Sequence, residues 1–169
     1  MVMRPFSNIY GKVSRYLLSL AILLTAFSAR GQKPYATENF DINGLTIGSV
    51  IDNSTLRDVL GEPDSIDETF SNEVFLYYGE TELCLISGVL VSIISRDGAF
   101  PLMTSTIKGG IKVGDDVNAT KNKILRYTAS RIIESSTGFI VGSWEDRINF
   151  DVKNGKITSI SYCDPDLGI

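Results

Sequence analysis

Asn43-Gly44-Leu45-Thr46-Ile47-Gly48 returns 66 residues later as Gly109-Gly110-Ile111-Lys112-Val113-Gly114. A second echo keeps nearly the same spacing. Gly88-Val89-Leu90-Val91-Ser92-Ile93-Ile94-Ser95-Arg96-Asp97 is matched 67 residues on by Gly155-Lys156-Ile157-Thr158-Ser159-Ile160-Ser161-Tyr162-Cys163-Asp164. Two separate segments that keep nearly one offset point to a duplicated structural unit. The boundaries that follow are a signal peptide over 1–31, an N-terminal arm over 32–42, repeat 1 over 43–97, a linker over 98–108, repeat 2 over 109–164 and a tail over 165–169. A duplication describes how a chain is built and names no reaction.

Each repeat reads as a strand, a helix and three further strands. The expected fold class is therefore α+β, with two tandem repeats, antiparallel sheets and short helices on one face. The Gly-bounded head of each repeat is a short extended stretch between turns. Asn53-Ser54-Thr55 and Asn118-Ala119-Thr120 then fall at corresponding helix starts, where an Asn side chain satisfies free amide donors. Capping also accounts for both triplets matching a glycosylation pattern. Leu56, Val59 and Leu60 share one helical face, as do Ile124 and Leu125. Gly61-Glu62-Pro63 stops the first helix, whereas the second lacks that stop and is expected to run to about Ser130. Expected strands cover residues 74–78, 82–86 and 89–94 in one copy and 139–144, 147–152 and 157–162 in the other.

Ile148, Phe150 and Val152 alternate with Arg147, Asn149 and Asp151, the pattern of a half-buried strand. A two-residue turn at Asn154-Gly155 sets Val152 opposite Ile157 but leaves Ile160 and Tyr162 on the polar side. A three-residue loop, Lys153-Asn154-Gly155, brings Thr158, Ile160 and Tyr162 to the apolar side, and this register is preferred. Ile86-Ser87-Gly88 is read as the same loop in the first copy. The opposite face is then polar in the second copy (Arg147, Asn149, Asp151, Ser159, Ser161) and apolar in the first (Cys84, Ile86, Leu90, Ile94). The second copy or the N-terminal arm is expected to cover that apolar patch; otherwise it meets another protein.

Gly44-Leu45-Thr46, Val59-Leu60-Gly61-Glu62-Pro63 and Phe75-Leu76-Tyr77-Tyr78-Gly79, in that order and spacing, resemble the SmpA/OmlA outer-membrane-assembly lipoproteins. Doubling the unit is similar to the beta-lactamase inhibitor protein-like superfamily, and the resemblance spans about residues 43–164. It implies a protein that acts by binding another protein. Leu-Gly-x-Pro occurs only in the first repeat, and neither a lipidated cysteine nor one disulfide per repeat is present. The resemblance therefore carries architecture and no individual binding residue.

Arg4, Lys12 and Arg15 precede an apolar run from Tyr16 to Phe27, followed by small residues with cleavage expected after Gly31. The run is short of the roughly 20 residues a spanning helix needs, so no stable membrane anchor is expected after cleavage. Export to the periplasm or the exterior is the reading. Four of the 16 basic residues and none of the 20 acidic ones lie in 1–31, leaving 12 against 20 and a net charge of −8. That balance disfavours nucleic acid as a partner. Cys84 and Cys163 do not occupy equivalent repeat positions. In an exported chain they form a disulfide, or else remain buried thiols.

The chain contains no histidine, which removes Ser-His-Asp triads, Cys-His dyads and most zinc sites. Ser105-Thr106-Ile107-Lys108 fits a Ser-x-x-Lys pattern without its partner motifs. Asp64, Asp67 and Glu68, with Asp115-Asp116, read as solvated turns rather than a calcium loop. No metal, cofactor or catalytic residue is expected. Tyr77, Tyr78 and Trp144 are the candidate protein-binding anchors, with Ile86, Leu90 and Ile94 beside them; the aromatics are core residues if buried. The expected function is that of an exported, non-enzymatic protein-binding module with an unknown protein partner. The alternative is a carrier of a small ligand or peptide between the repeats, and a carboxylate-only enzyme is a third reading.

Overall fold

The last hairpin closes through two residues, not three. Asn154 and Gly155 both hold positive φ, 53° and 72°, and this turn has the twist that antiparallel strands require. Val152 faces Ile157, Thr158 bulges out, and pairing resumes with Ser159 opposite Asp151, Ile160 opposite Phe150 and Tyr162 opposite Ile148. The bulge resolves the conflict in the sequence, because one extra residue switches strand parity and keeps Ile157, Ile160 and Tyr162 all on the apolar side. Ser87-Gly88 forms the same turn, with φ of 50° and 80°. There Leu85 faces Leu90 and Cys84 faces Ser92, so Val91 is the bulged residue. Each expected three-residue loop is thus a two-residue turn followed by a bulge.

The computed structural model describes residues 33–70, 72–143, 146–164 and 166. A small hairpin, β1 (Asp41–Ile42) and β2 (Leu45–Thr46), precedes helix α1 (Asn53–Leu60), then β3 (Ser65–Phe70), β4 (Glu73–Tyr78), β5 (Thr81–Ile86) and β6 (Val89–Ser95). Helix α2 (Val117–Tyr127) leads into β7 (Ile132–Glu134), β8 (Gly138–Gly142), β9 (Arg147–Lys153) and β10 (Lys156–Cys163). Strands β3 to β10 form one antiparallel sheet in the order β3-β4-β5-β6-β10-β9-β8-β7. The architecture is α+β. Each helix is followed by four strands rather than the expected three. The missed pair, β3 and β7, lie at the two edges of the sheet. Asp67 and Glu68, read as turn residues, sit on β3, where acids on an edge strand discourage pairing with another chain.

The head segments make matching backbone bonds. Gly48 N donates to Leu90 O at 2.7 Å, Leu90 N to Ser49 O at 3.0 Å and Ile51 N to Gly88 O at 2.8 Å. Gly114 N likewise donates to Ile157 O at 2.8 Å, Ile157 N to Asp115 O at 3.0 Å and Val117 N to Gly155 O at 3.1 Å. The helix caps are Asp52 and Asp116, not Asn53 and Asn118. Their carboxylates accept from Thr55 N at 2.8 Å and Ala119 N at 3.0 Å, and a charged acceptor also suits the helix dipole. The Ser54 hydroxyl and the Thr55 amide hold the Asp52 carboxyl down to about 2. Helix α2 ends at Tyr127, short of Ser130. Ser130 instead accepts a hydrogen bond from Ala36 N at 2.7 Å through its hydroxyl, tying down the N-terminal arm.

One face of the sheet carries the core. Leu76, Leu83, Ile93, Tyr162, Ile148 and Val141 form a continuous cross-strand row. Leu56 and Leu60 from α1, Ile124 from α2, and Ala36 and Phe40 from the arm join the same buried cluster. A large aliphatic side chain buried this way contributes roughly 1.5–3 kcal/mol. Residues 98–108, expected as a linker, belong to the core as well. Leu102, Met103 and Ile107 are buried, and Leu102 bridges both Ile42 and Ile111.

The other face follows by alternation. Phe75, Tyr77, Ile86 and Ile94 point away from the cluster and remain half-buried. Among the described residues the arm packs with the helices on the core side, and on the other face Cys84 is buried while Ile86 and Ile94 stay half-buried. Leu90 left the apolar patch when the Val91 bulge moved it to the core side.

Candidate functional site

Strand β4 places Phe75 and Tyr77 on the open face, and pairing sets them beside Cys84 and Glu82 on β5. Glu82 in turn faces Ile94 on β6, and Glu73 faces Ile86. An apolar band of Phe75, Tyr77, Ile86 and Ile94 thus lies among acidic neighbours, with Arg96 reaching Glu82 at 4.0 Å. Across β10, β9 and β8 the same row continues as Ser161, Asn149 and Ile140. Such a surface can hold a partner through apolar contact while its acids select the partner's charge.

The sequence-derived anchors separate. Tyr77, Ile86 and Ile94 share the open face. Tyr78 and Leu90 do not: Tyr78 is buried, meets Phe100 edge-on at 5.7 Å and 88°, and donates to Gly61 O at 3.4 Å. Adjacent residues on one strand point to opposite faces, so Tyr77 and Tyr78 could not both anchor one partner. Trp144 lies outside the described residues. Phe75, passed over as an anchor, belongs to the band. Its parity with Tyr77 was the available signal.

Cys84 and Cys163 are free thiols, and geometry explains why the possible disulfide does not form. Both flank Ser92, Cys84 from β5 and Cys163 from β10, so β6 runs between them. Two strand spacings place their backbones roughly 10 Å apart, beyond the limit of about 7 Å for a bridge. Burial, then Glu73, Glu82 and Cys163, push the Cys84 thiol up to about 11. Its thiolate fraction at about pH 8 is therefore on the order of 0.001. Native protein treated with a thiol reagent should lose Cys163 quickly and Cys84 slowly, and the unfolded, unreduced chain should titrate as two thiols. Equal native rates, or no free thiol after unfolding, would contradict this arrangement.

Ser105, the serine of the Ser-x-x-Lys match, spends its hydroxyl on the Asp41 carboxylate at 2.6 Å. Among the described residues no group of three or more Cys, Asp or Glu is arranged to hold a metal ion, and no helix is long and apolar enough to cross a membrane.

No protein-family profile matches the chain, and no curated protein matches it. Among solved structures it is similar to an extracellular protein containing a SCP domain from Bacillus anthracis str. Ames. The identity is 10% and the TM-score 0.45, over 72% of this chain and 45% of that one. The chain thus spans less than half the length of that protein.

Proposed function

We propose that the protein is an exported, non-enzymatic protein-binding module that uses the open face of its sheet. One observation carries the reading: the half-exposed band of Phe75, Tyr77, Ile86 and Ile94 on the side that the helices and arm leave free. Exposed apolar bands with aromatic members mark interaction surfaces. Duplication of a helix-plus-four-strand unit is part of the proposal. It is supported by the bulges at Val91 and Thr158, which keep the 67-residue spacing, and by Ile94 facing Ser161, its own counterpart at that spacing. The resemblance to the SmpA/OmlA and beta-lactamase inhibitor protein-like proteins supports binding over turnover, as does a chain without histidine. The basic and apolar pattern of residues 1–31 supports export.

A photocrosslinking residue in place of Tyr77, in the exported protein within intact cells, should give one defined protein adduct. Ile94→Asp should abolish the adduct while costing less than about 1.5 kcal/mol of stability, as surface changes do. Adducts from a probe at Arg57 on the helix side, with none from position 77, would overturn the reading. Carriage of a small ligand is favoured by one feature, a cleft beneath the N-terminal arm with walls from both halves of the chain: Ile47 from one, Asp146 and Tyr162 from the other.

A further inference from the structure

The open face carries opposite charge on its two halves. Strand parity turns Asp67, Glu73 and Glu82 of β3 to β5 toward it, and Arg96, which reaches Glu82, is the cation among them, a net charge of −2. Strands β9 and β10 turn Arg147, Lys153 and Lys156 toward it, with Asp151 as the acid, a net charge of +2. The other acids on the sheet's strands lie on the helix side, where Glu68 lines a groove beside Leu56 and Glu134 pairs with Lys121. In an acidic chain, the cations of the sheet's strands are thus gathered on one half of one face. The apolar band belongs to the acidic half. Desolvation, then Glu82 and Asp67, raise the Tyr77 phenol above its ordinary range, so the band lies within the field of those acids.

A second copy of the chain supplies the matching surface. Strands β6 and β10 stand at the middle of the eight. A two-fold axis parallel to the strands, over that middle pair, sets two sheets face to face and lays the first half of each copy on the second half of the other. Acidic half then meets basic half twice, as one self-complementary interface. The rotation also carries β4 toward β8 of the other copy, so Tyr77 approaches Ile140, while Glu82 approaches Asn149 and Ile94 approaches Ser161 along one cross-strand row. An axis running across the strands would instead lay acid on acid. The area suffices as well. Eight strands spaced about 4.8 Å apart and about 20 Å long cover roughly 750 Å², near the roughly 800 Å² that each partner gives a stable interface.

We propose that the partner of the open face is a second copy of this chain, joined face to face in a two-fold dimer with the acidic half of each copy on the basic half of the other. The proposal rests on the protein-binding reading, to which it supplies the partner. Cys163 reports the geometry. It is exposed, and its strand, β10, lies beside the axis. The two Cys163 backbones are then about one strand spacing apart along the sheets and one sheet spacing apart between them, roughly 11 Å in all. That distance exceeds the reach of a disulfide and suits a bis-maleimide with a spacer of about 8 Å.

Analytical ultracentrifugation of the exported chain tests it. A monomer–dimer equilibrium is expected, about tenfold weaker at roughly 0.5 M than at roughly 0.05 M salt as the charges are screened. The bis-maleimide should join two chains, and Cys163→Ser should abolish that link while sparing the dimer. Two charge-reversed proteins decide the partner. Glu73→Lys with Glu82→Lys makes both halves basic, and Lys153→Glu with Lys156→Glu makes both acidic. Each alone should self-associate about a hundredfold more weakly than wild type, because like charges now face each other. An equimolar mixture of the two should recover a dimer with one chain of each. Lys153 and Lys156 are exposed, so self-association of the acidic protein remains a measure even if reversal at half-buried Glu73 and Glu82 impairs folding. A wild-type chain that stays monomeric up to roughly 1 mM would overturn the proposal. So would a reversed protein that dimerises as tightly as wild type, or a mixture of two folded reversed proteins that stays monomeric. The crosslinker at position 77 should join two copies of this chain. An adduct there with a different protein would remove the second copy as partner and leave the open-face reading standing.

Discussion

Asp41→Ala should destabilise the folded chain by about 2–4 kcal/mol, a large share of the roughly 5–15 kcal/mol that holds a domain together. Asp41 is fully buried, and its carboxylate collects donors from two distant stretches of chain. Gly44 N donates at 2.9 Å, Ser105 N at 3.0 Å and the Ser105 hydroxyl at 2.6 Å, and the Thr104 hydroxyl donates as well. Met103 N adds a bond to the Asp41 backbone carbonyl at 2.7 Å. This clamp holds the β1–β2 hairpin against residues 102–107, where Met103 is buried at a φ of 61°, uncommon for a residue other than glycine. Alanine removes the acceptor and leaves the donors behind, although water reaches the more exposed Ser105 and softens the penalty. Ser105→Ala removes one bond and should cost only about 1 kcal/mol. Urea unfolding of the two variants measures the order. A midpoint for Asp41→Ala no lower than that of Ser105→Ala would mean that the clamp does not form.

Asp41 also shows why part of this fold was illegible. Its side-chain partners Thr104 and Ser105 are 63 and 64 residues away, and no local pattern records such a contact. What local sequence records was readable: the helices that follow the Gly-bounded segments and the three strands that close each half. The edge strands were missed because half-exposed edges lack the alternation that marks a strand with two neighbours. Ser65-Ile66-Asp67-Glu68 reads as a turn until β4 is seen beside it. The bulges were missed although their cause was visible. Ile157 and Ile160 differ in parity, so no regular register buries both, and only a bulge satisfies the pattern.

The candidate site followed the same logic. Tyr77, Ile86 and Ile94 were placed by strand parity alone, whereas Leu90 needed the bulge and Tyr78 needed the opposite parity from its neighbour. The cleft beneath the arm had no sequence signature, because Ile47, Asp146 and Tyr162 come from separated segments that only the fold assembles.

Phe150→Ala should cost about 3–5 kcal/mol, the usual penalty for emptying an aromatic core site. Phe150 is buried on β9 between Phe139 and Ile160, its cross-strand partners on β8 and β10. It stacks on Phe139 with centroids 4.5 Å apart and planes 5° from parallel. Lys121 of α2 lies 4.9 Å from the Phe139 centroid and pairs with Glu134 at 2.7 Å, so the helix rests on this stack. At the 67-residue spacing the counterpart of Phe150 is Leu83, which faces Leu76 where Phe150 faces Phe139. The first half thus fills with two leucines the place that the second fills with two phenylalanines. Phe150→Leu imitates the first half on one side only. It should cost about 1–2 kcal/mol, because Phe139 keeps a neighbour but loses its stacked face. Phe139→Leu with Phe150→Leu should then cost less than the sum of the two single changes, since the second removes a ring that has already lost its partner. Thermal unfolding of the four proteins measures that coupling, and strict additivity would mean that the rings do not act as a stacked pair.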